Sequence, residues 1–227
     1  PDQYIPQLEH AWRKDLVDLY TSGKESRLKN TMNGFSTLQK LTNDYLLLQT
    51  TERSTVEMKL LPLVNNTYVV CMISTVNGPV PDSRIEFFTT NWEPLATSDL
   101  FTQPTSDWYI EQGIDKKDEA YQEAASHLDM DLIQYRLGPD DQTLTAIYTT
   151  PQYLSQEARE KIEPYLSEPK VYTWQKLSFS VILSLSVHSD ISSRGFLRYY
   201  CTAVAAILHV GCSSTAIKSL FLMGRRD

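Results

Sequence analysis

From Val69 to Ile73 the chain reads Val-Val-Cys-Met-Ile, five side chains with no polar group among them, inside a run from Thr67 to Val76 that is rich in β-branched residues. β-branched side chains fit the pleated surface of a sheet, and successive strand residues point to opposite faces. Val69, Cys71 and Ile73 then occupy one face and Val70 and Met72 the other, so this strand is central and covered on both sides. The flanking sequence agrees. Asn65-Asn66 supplies a turn, and before it, in "STVEMKLLPL", Val56, Met58 and Leu60 alternate with Thr55, Glu57 and Lys59, the pattern of a strand with one wet face. After it, Asn77-Gly78 and the prolines Pro79 and Pro81 interrupt the run before "SRIEFFTT" resumes. With "DYLLLQTT" these segments read as an antiparallel meander.

Helical spacing frames the meander. Ile5, Leu8, Trp12, Leu16 and Leu19 recur at three- and four-residue steps, which predicts an N-terminal helix with Pro6 in its first turn. Residues 116 to 128 place Ala120, Tyr121, Ala124, Ala125 and Leu128 among charges and predict a short helix. "DMDLIQYRL" and "QTLTAIYTT" form a hairpin around Gly138-Pro139-Asp140-Asp141. A further helix starts at the N-cap Ser155, and "KVYTWQKL" is the last strand. The fold class is α+β, an antiparallel meander sheet with an N-terminal helix and shorter flanking helices. Threonine pairs close three of the apolar runs, at residues 50, 89 and 149. Their unequal spacing excludes a repeat, and each marks a strand reaching turn-forming sequence.

The chemistry available is sparse. A net charge of -7 over 227 residues, with no Lys/Arg stripe, repels a phosphate backbone and argues against nucleic acid as a partner. The three cysteines, Cys71, Cys201 and Cys212, have no metal spacing, and Cys71 is expected as a buried small hydrophobe. No nucleophile elbow, zinc-protease helix, CxxC pair or dinucleotide glycine pattern is present. Gly23-Lys24 in "DLYTSGKES" lacks the first glycine and the hydroxyl residue of a phosphate loop. His10, His127, His188 and His209 have no ligand partner at helical spacing, so no metal and no cofactor is expected. Asp129 and Asp131, two apart at a strand entrance, would share one face and form a solvated entrance, an acid/base pair or a weak calcium site, the solvated entrance being favoured. Trp92, Trp108 and Tyr109 fall in the irregular section 91 to 113. Their rings either cap the core or form a platform for a sugar or a peptide.

From residue 178 the composition changes. Two acids, Asp190 and Asp227, stand against five bases, Arg194, Arg198, Lys218, Arg225 and Arg226. Residues 199 to 217 contain no Asp, Glu, Lys or Arg, a weak candidate for a membrane-associated helix diluted by Ser, Thr and Gly. The expected organisation is a single α+β domain over residues 1 to 177 and an atypical basic, Ser-rich extension over 178 to 227.

The phrases "LTNDYLLLQTTERSTVEMKLLP", "VVCMISTV", "DSRIEFFTTNWEPL", "GPDDQTLTAIYTTPQYLS", "IEPYL" and "VYTW", in this order, resemble a Bacteroidales family of unknown function, the domain of unknown function 3256. The resemblance covers roughly residues 1 to 177. It implies a secreted or periplasmic cell-envelope protein with a signal peptide upstream of residue 1, and it brings no activity or catalytic residue. The expected function is therefore non-catalytic, the binding of a protein, peptide or glycan or a structural role. The alternative is a carboxylate-dependent hydrolase of an envelope or glycan substrate using Asp129 and Asp131.

Overall fold

The computed structural model describes residues 2–104, 107–181 and 216–223. Seven strands form one antiparallel sheet: β1 (Arg27–Lys29), β2 (Phe35–Leu41), β3 (Tyr45–Thr51), β4 (Ser54–Pro62), β5 (Tyr68–Asn77), β6 (Pro81–Thr89) and β7 (Pro94–Leu95). Each pairs with the next in the chain, so the sheet is a meander throughout. A second antiparallel sheet contains β8 (Ile133–Leu137), β9 (Thr143–Tyr148), β10 (Lys170–Trp174) and β11 (Phe179–Val181), in the order β11-β10-β9-β8. The helices are α1 (His10–Thr21), α2 (Thr97–Leu100), α3 (Glu119–Ala125), α4 (Thr150–Tyr153), α5 (Gln156–Ile162) and α6 (Ala216–Phe221). The class is α+β, as the sequence pattern requires.

Strand β5 is covered on both faces. Val69, Cys71 and Ile73 join Ile85 and Phe87 in a cluster whose other half comes from the second sheet, through Tyr135, Leu137, Leu144, Ala146, Tyr172, Trp174 and Phe179. Val70 and Met72 join Leu46, Met58, Leu60 and Phe88 beneath Leu16 and Val17 of α1. The meander is thus the middle layer of three.

The N-terminal helix begins at His10, later than the apolar stripe suggests. Ile5 and Leu8 are buried all the same, in turns that precede the helix. Arg13 explains their placement. Its guanidinium is fully buried and donates to the Leu8 carbonyl from Nε (3.1 Å) and Nη2 (2.9 Å), with Asp2 paired at 2.7 Å. Burial lowers the Arg13 pKa, and Asp2 opposes that shift.

The predicted wet face of β4 is not wet. Glu57 is 9% exposed and Lys59 1%, and both lie between the two sheets. Alternation places them correctly on the face opposite Met58 and Leu60, but that face is covered by the β8–β9 hairpin, which sequence periodicity alone does not reveal. Lys59 Nζ donates to the carbonyls of Gly138 (2.8 Å) and Pro139 (3.2 Å) and pairs with Asp44 at 3.4 Å. Glu57 Oε2 accepts from the Leu137 backbone N–H (3.0 Å) and from the Tyr45 hydroxyl (3.1 Å). The two charged side chains of one strand therefore hold the turn of the opposing hairpin. Gly138 has no side chain for a close-contact reason, since a Cβ there would collide with the Asp141 carboxylate and the Thr143 hydroxyl.

Burial is the largest influence on Glu57 and raises its pKa, while the Leu137 N–H, the Tyr45 hydroxyl and Arg136 act to lower it. Between the ordinary glutamate range and this raised value the folded chain retains a proton that the unfolded chain has released. Stability consequently declines as pH rises through that window. Gln at position 57 can accept the same two hydrogen bonds without a buried charge. Glu57→Gln is expected to be at least as stable as the wild type near neutral pH and to flatten the slope, as thermal melts from about pH 4 to 8 would show. An unchanged slope in the variant would assign it to another group.

The threonine pairs end strands through their hydroxyls. Thr89 Oγ1 accepts from the N–H groups of Asn91 and Glu93, both at 3.2 Å. Thr149 Oγ1 donates to the Pro81 carbonyl (2.7 Å) and Thr150 Oγ1 to that of Met130 (2.8 Å). Short hydroxyl side chains offer the backbone partners where the ladder stops.

Of the section from 178 onward, β11 pairs with β10, and Ile217, Leu220 and Phe221 of α6 are buried against the α1 side of the meander. The weak membrane candidate at 199 to 217 lies, apart from its last two residues, outside the described residues. Among the described residues no helix is long and apolar enough to cross a membrane.

Candidate functional site

Helices α3 and α5 lie against each other, and each buries two residues at helical spacing, Tyr121 and Ala124 on α3 and Ala158 and Ile162 on α5. Both start at side-chain caps: Asp118 accepts from the Tyr121 N–H, and Ser155 from the Ala158 N–H. Lys161 ties the pair together, meeting Glu123 of α3 at 3.0 Å and Glu157 of its own helix at 3.3 Å. Arg159 braces α4 by donating to the carbonyls of Pro151 (3.0 Å) and Gln152 (2.8 Å). These contacts fix the walls of an open cleft of about 540 Å³ lined by His127, Asp129, Tyr153, Leu154, Ser155, Glu157, Ala158 and Lys161.

The wall residues differ in how far they are already engaged. Ser155 is occupied as a cap, and Lys161 is held by two carboxylates whose hydrogen bonds raise its pKa, Glu123 first and Glu157 second. The Glu123 carboxyl is lowered in turn, mainly by its hydrogen bond with Lys161. Tyr153 is 52% exposed, and Met130, on the adjoining segment, 38%. A smaller hollow of about 310 Å³, lined by Thr97, Ser98, Phe101, Thr102 and Gln103, contains no charged residue.

Asp129 and Asp131 do not share a strand face. β8 begins only at Ile133, and the segment before it is irregular, held by the Met130 carbonyl accepting from Tyr148 (3.3 Å) and Thr150 (2.8 Å). Asp129 lines the cleft. The charge of Asp131 acts on Tyr109 and Tyr148, helping burial to raise their pKa values. Both aspartates are exposed.

The three aromatic candidates are core residues in two separate clusters. Trp92 is 7% exposed, sits at φ 66°, and packs on Phe88 (5.4 Å between centroids) and Tyr4 (5.5 Å) on the α1 side. Its Nε1 finds no hydrogen-bond partner among the described residues. Trp108 and Tyr109, each 8% exposed, belong to the inter-sheet cluster. Tyr109 stacks on Tyr148 at 3.6 Å and 2°, Trp108 meets both rings edge-on, and Lys170 Nζ lies 5.6 Å above the Trp108 ring. Burial of large rings is the gain that places them there.

The exposed aromatic of the cleft, Tyr153, was not singled out from sequence. Its available signal is "TTPQYLS", where Pro151 sits in the first turn of a single-turn helix that ends at Tyr153. Among the described residues no group of three or more His, Cys, Asp or Glu side chains could hold a metal ion.

Among curated proteins nothing matches this chain. A solved structure described as a domain of an uncharacterized protein from Porphyromonas gingivalis W83 is similar, with a TM-score of 0.72 and 30% identity over 80% of this chain and 94% of that one. The family model described as "Protein of unknown function (DUF3256)" matches residues 1–179, the span that contains both sheets up to the start of β11 and the whole cleft. The chain belongs to the DUF3256 family.

Proposed function

We propose that this chain is a non-catalytic binding domain of the secreted or cell-envelope compartment, and that the cleft between the segment following α3 and the α4–α5 pair receives its ligand, a peptide or glycan segment of an envelope component. One observation carries the reading: a half-exposed aromatic ring, Tyr153, stands on the wall of an open cleft beside the polar side chains of His127, Asp129, Ser155, Glu157 and Lys161. Aromatic faces beside polar groups suit sugar rings and peptide side chains alike, because each has an apolar face and a polar edge. The polar groups are engaged structurally, Ser155 as a cap and Lys161 between two glutamates, and this favours recognition over nucleophilic chemistry. The compartment rests on the family resemblance. It accords with Cys71, which is fully buried and therefore inert to pairing in an oxidising environment.

A photo-crosslinking residue at position 153 of the full chain, irradiated with envelope extract, is expected to give a discrete adduct that the same residue at the exposed position of Glu25 does not. Equal labelling from both positions would remove the cleft from consideration.

A further inference from the structure

We infer that the cleft selects a cationic group, the guanidinium or ammonium of an Arg- or Lys-bearing peptide segment; this rests on the reading of the cleft as the binding site. The charge inventory around it is unbalanced. Three carboxylates, Asp129 and Glu157 lining the cleft and Glu123 bordering it, stand against one ammonium, Lys161, and the imidazole of His127, whose charge acts on Glu123. Lys161 is already shared between Glu123 and Glu157, so it cannot also neutralise Asp129. Asp129 makes no hydrogen bond or ion pair among the described residues.

Tyr153 adds the second requirement. Its ring is half exposed, and among the described residues no other ring and no cation packs on it. An aromatic face is electron-rich and attracts cations, most often guanidinium groups. The free carboxylate of Asp129 lines the same cleft as the Tyr153 ring. Elsewhere in the same protein such pairs are satisfied internally, with Arg27 4.1 Å above Phe35 and Lys170 5.6 Å above Trp108. Among the clefts described, only the one at Tyr153 combines an open aromatic face with an unpaired acid. Leu154 and the neighbouring Met130 supply apolar surface for the aliphatic stem of an Arg or Lys side chain.

The test is an NMR titration of the full chain with acetyl-Gly-Arg-Gly-amide, beside its citrulline analogue, which keeps the shape and loses the charge. Arginine is expected to bind about tenfold more tightly than citrulline, with shifts at His127, Asp129 and Tyr153. Tyr153→Ala should weaken the arginine peptide about threefold. Asp129→Asn should remove most of the arginine preference, whereas Lys161→Gln, which deletes the internal competitor, should strengthen binding. Each position is at the surface, and a thermal melt verifies the fold of every variant.

Equal binding of the two peptides, with both lost in Tyr153→Ala, would overturn the cationic inference and leave the cleft as a binding site. A loss in Asp15→Asn, on the exposed side of α1, as large as that in Asp129→Asn would overturn it too, by reducing the preference to attraction by the net charge. Absence of cleft shifts with either peptide at millimolar concentration would overturn it independently of the crosslinking result.

Discussion

Lys59→Ala is expected to lower the unfolding free energy by about 2–4 kcal/mol, from two effects that a second variant separates. The first is the loss of a packed stem, since the Lys59 side chain lies 1% exposed between the sheets in register with Tyr45, Cys71 and Phe87. The second is the loss of the only side-chain donor given to the carbonyls of Gly138 and Pro139 among the described residues. Lys59→Met keeps most of the stem and removes the donor, so it should cost about 1–3 kcal/mol, the penalty for leaving partly buried acceptors unpaired. Asp44 is 47% exposed and can be rehydrated, which holds the expected losses below those of a fully buried ion pair. Urea denaturation of both variants gives the comparison. If Lys59→Met matches the wild type, desolvation of the ammonium offsets its hydrogen bonds, and the stem alone accounts for the alanine effect.

Ile73→Ala should cost about 2–5 kcal/mol, because the side chain is fully buried in the central strand and the rigid sheets on either side can collapse only partly into the space left. Ile73 lies opposite Glu57 on one neighbour and Ile85 on the other. The hole would open beside a buried carboxylate, and water drawn toward it would lessen the burial that raises the Glu57 pKa. A reduced pH slope of stability in Ile73→Ala, measured with the urea midpoint, would show that coupling. A midpoint unmoved by the substitution would mean that the strand is peripheral.

The legible parts of this fold are those that local pattern decides. The meander could be read from strands β3 to β6 because alternation and Asn, Gly and Pro turns coincide there, and the left-handed backbone of Asn66 lies where the Asn pair predicts a turn. The Ser155 cap of α5 was equally local. What could not be read was partnership across the sheets. Glu57 and Lys59 look like solvent-facing residues until a hairpin about eighty positions later covers them. The stripe beginning at Ile5 counts real core residues but assigns Ile5 and Leu8 to a helix, although a turn clamped by Arg13 carries them. In the candidate site the sequence singled out Asp129 and large rings in loops. It did not distinguish rings that gain by burial, such as Trp108, from Tyr153, which a single helical turn holds at the surface.

The strictly sequential order of the seven-stranded sheet has a consequence for the time course of folding. Each strand finds its partner next along the chain, so every closure involves a short loop and costs little entropy. The bonds from Lys59 to Gly138 and from Glu57 to Leu137 span 79 and 80 residues and belong to the late, non-local contacts. Lys59→Met, which removes the long-range bonds and keeps most of the stem, should therefore act mainly by accelerating unfolding, with a φ-value near zero, while substitutions that weaken the β4–β5 pairing itself slow the folding limb of the chevron. The hairpin held by these two charged side chains then behaves as a late fastening that sets how long the native state persists more than how fast it is reached.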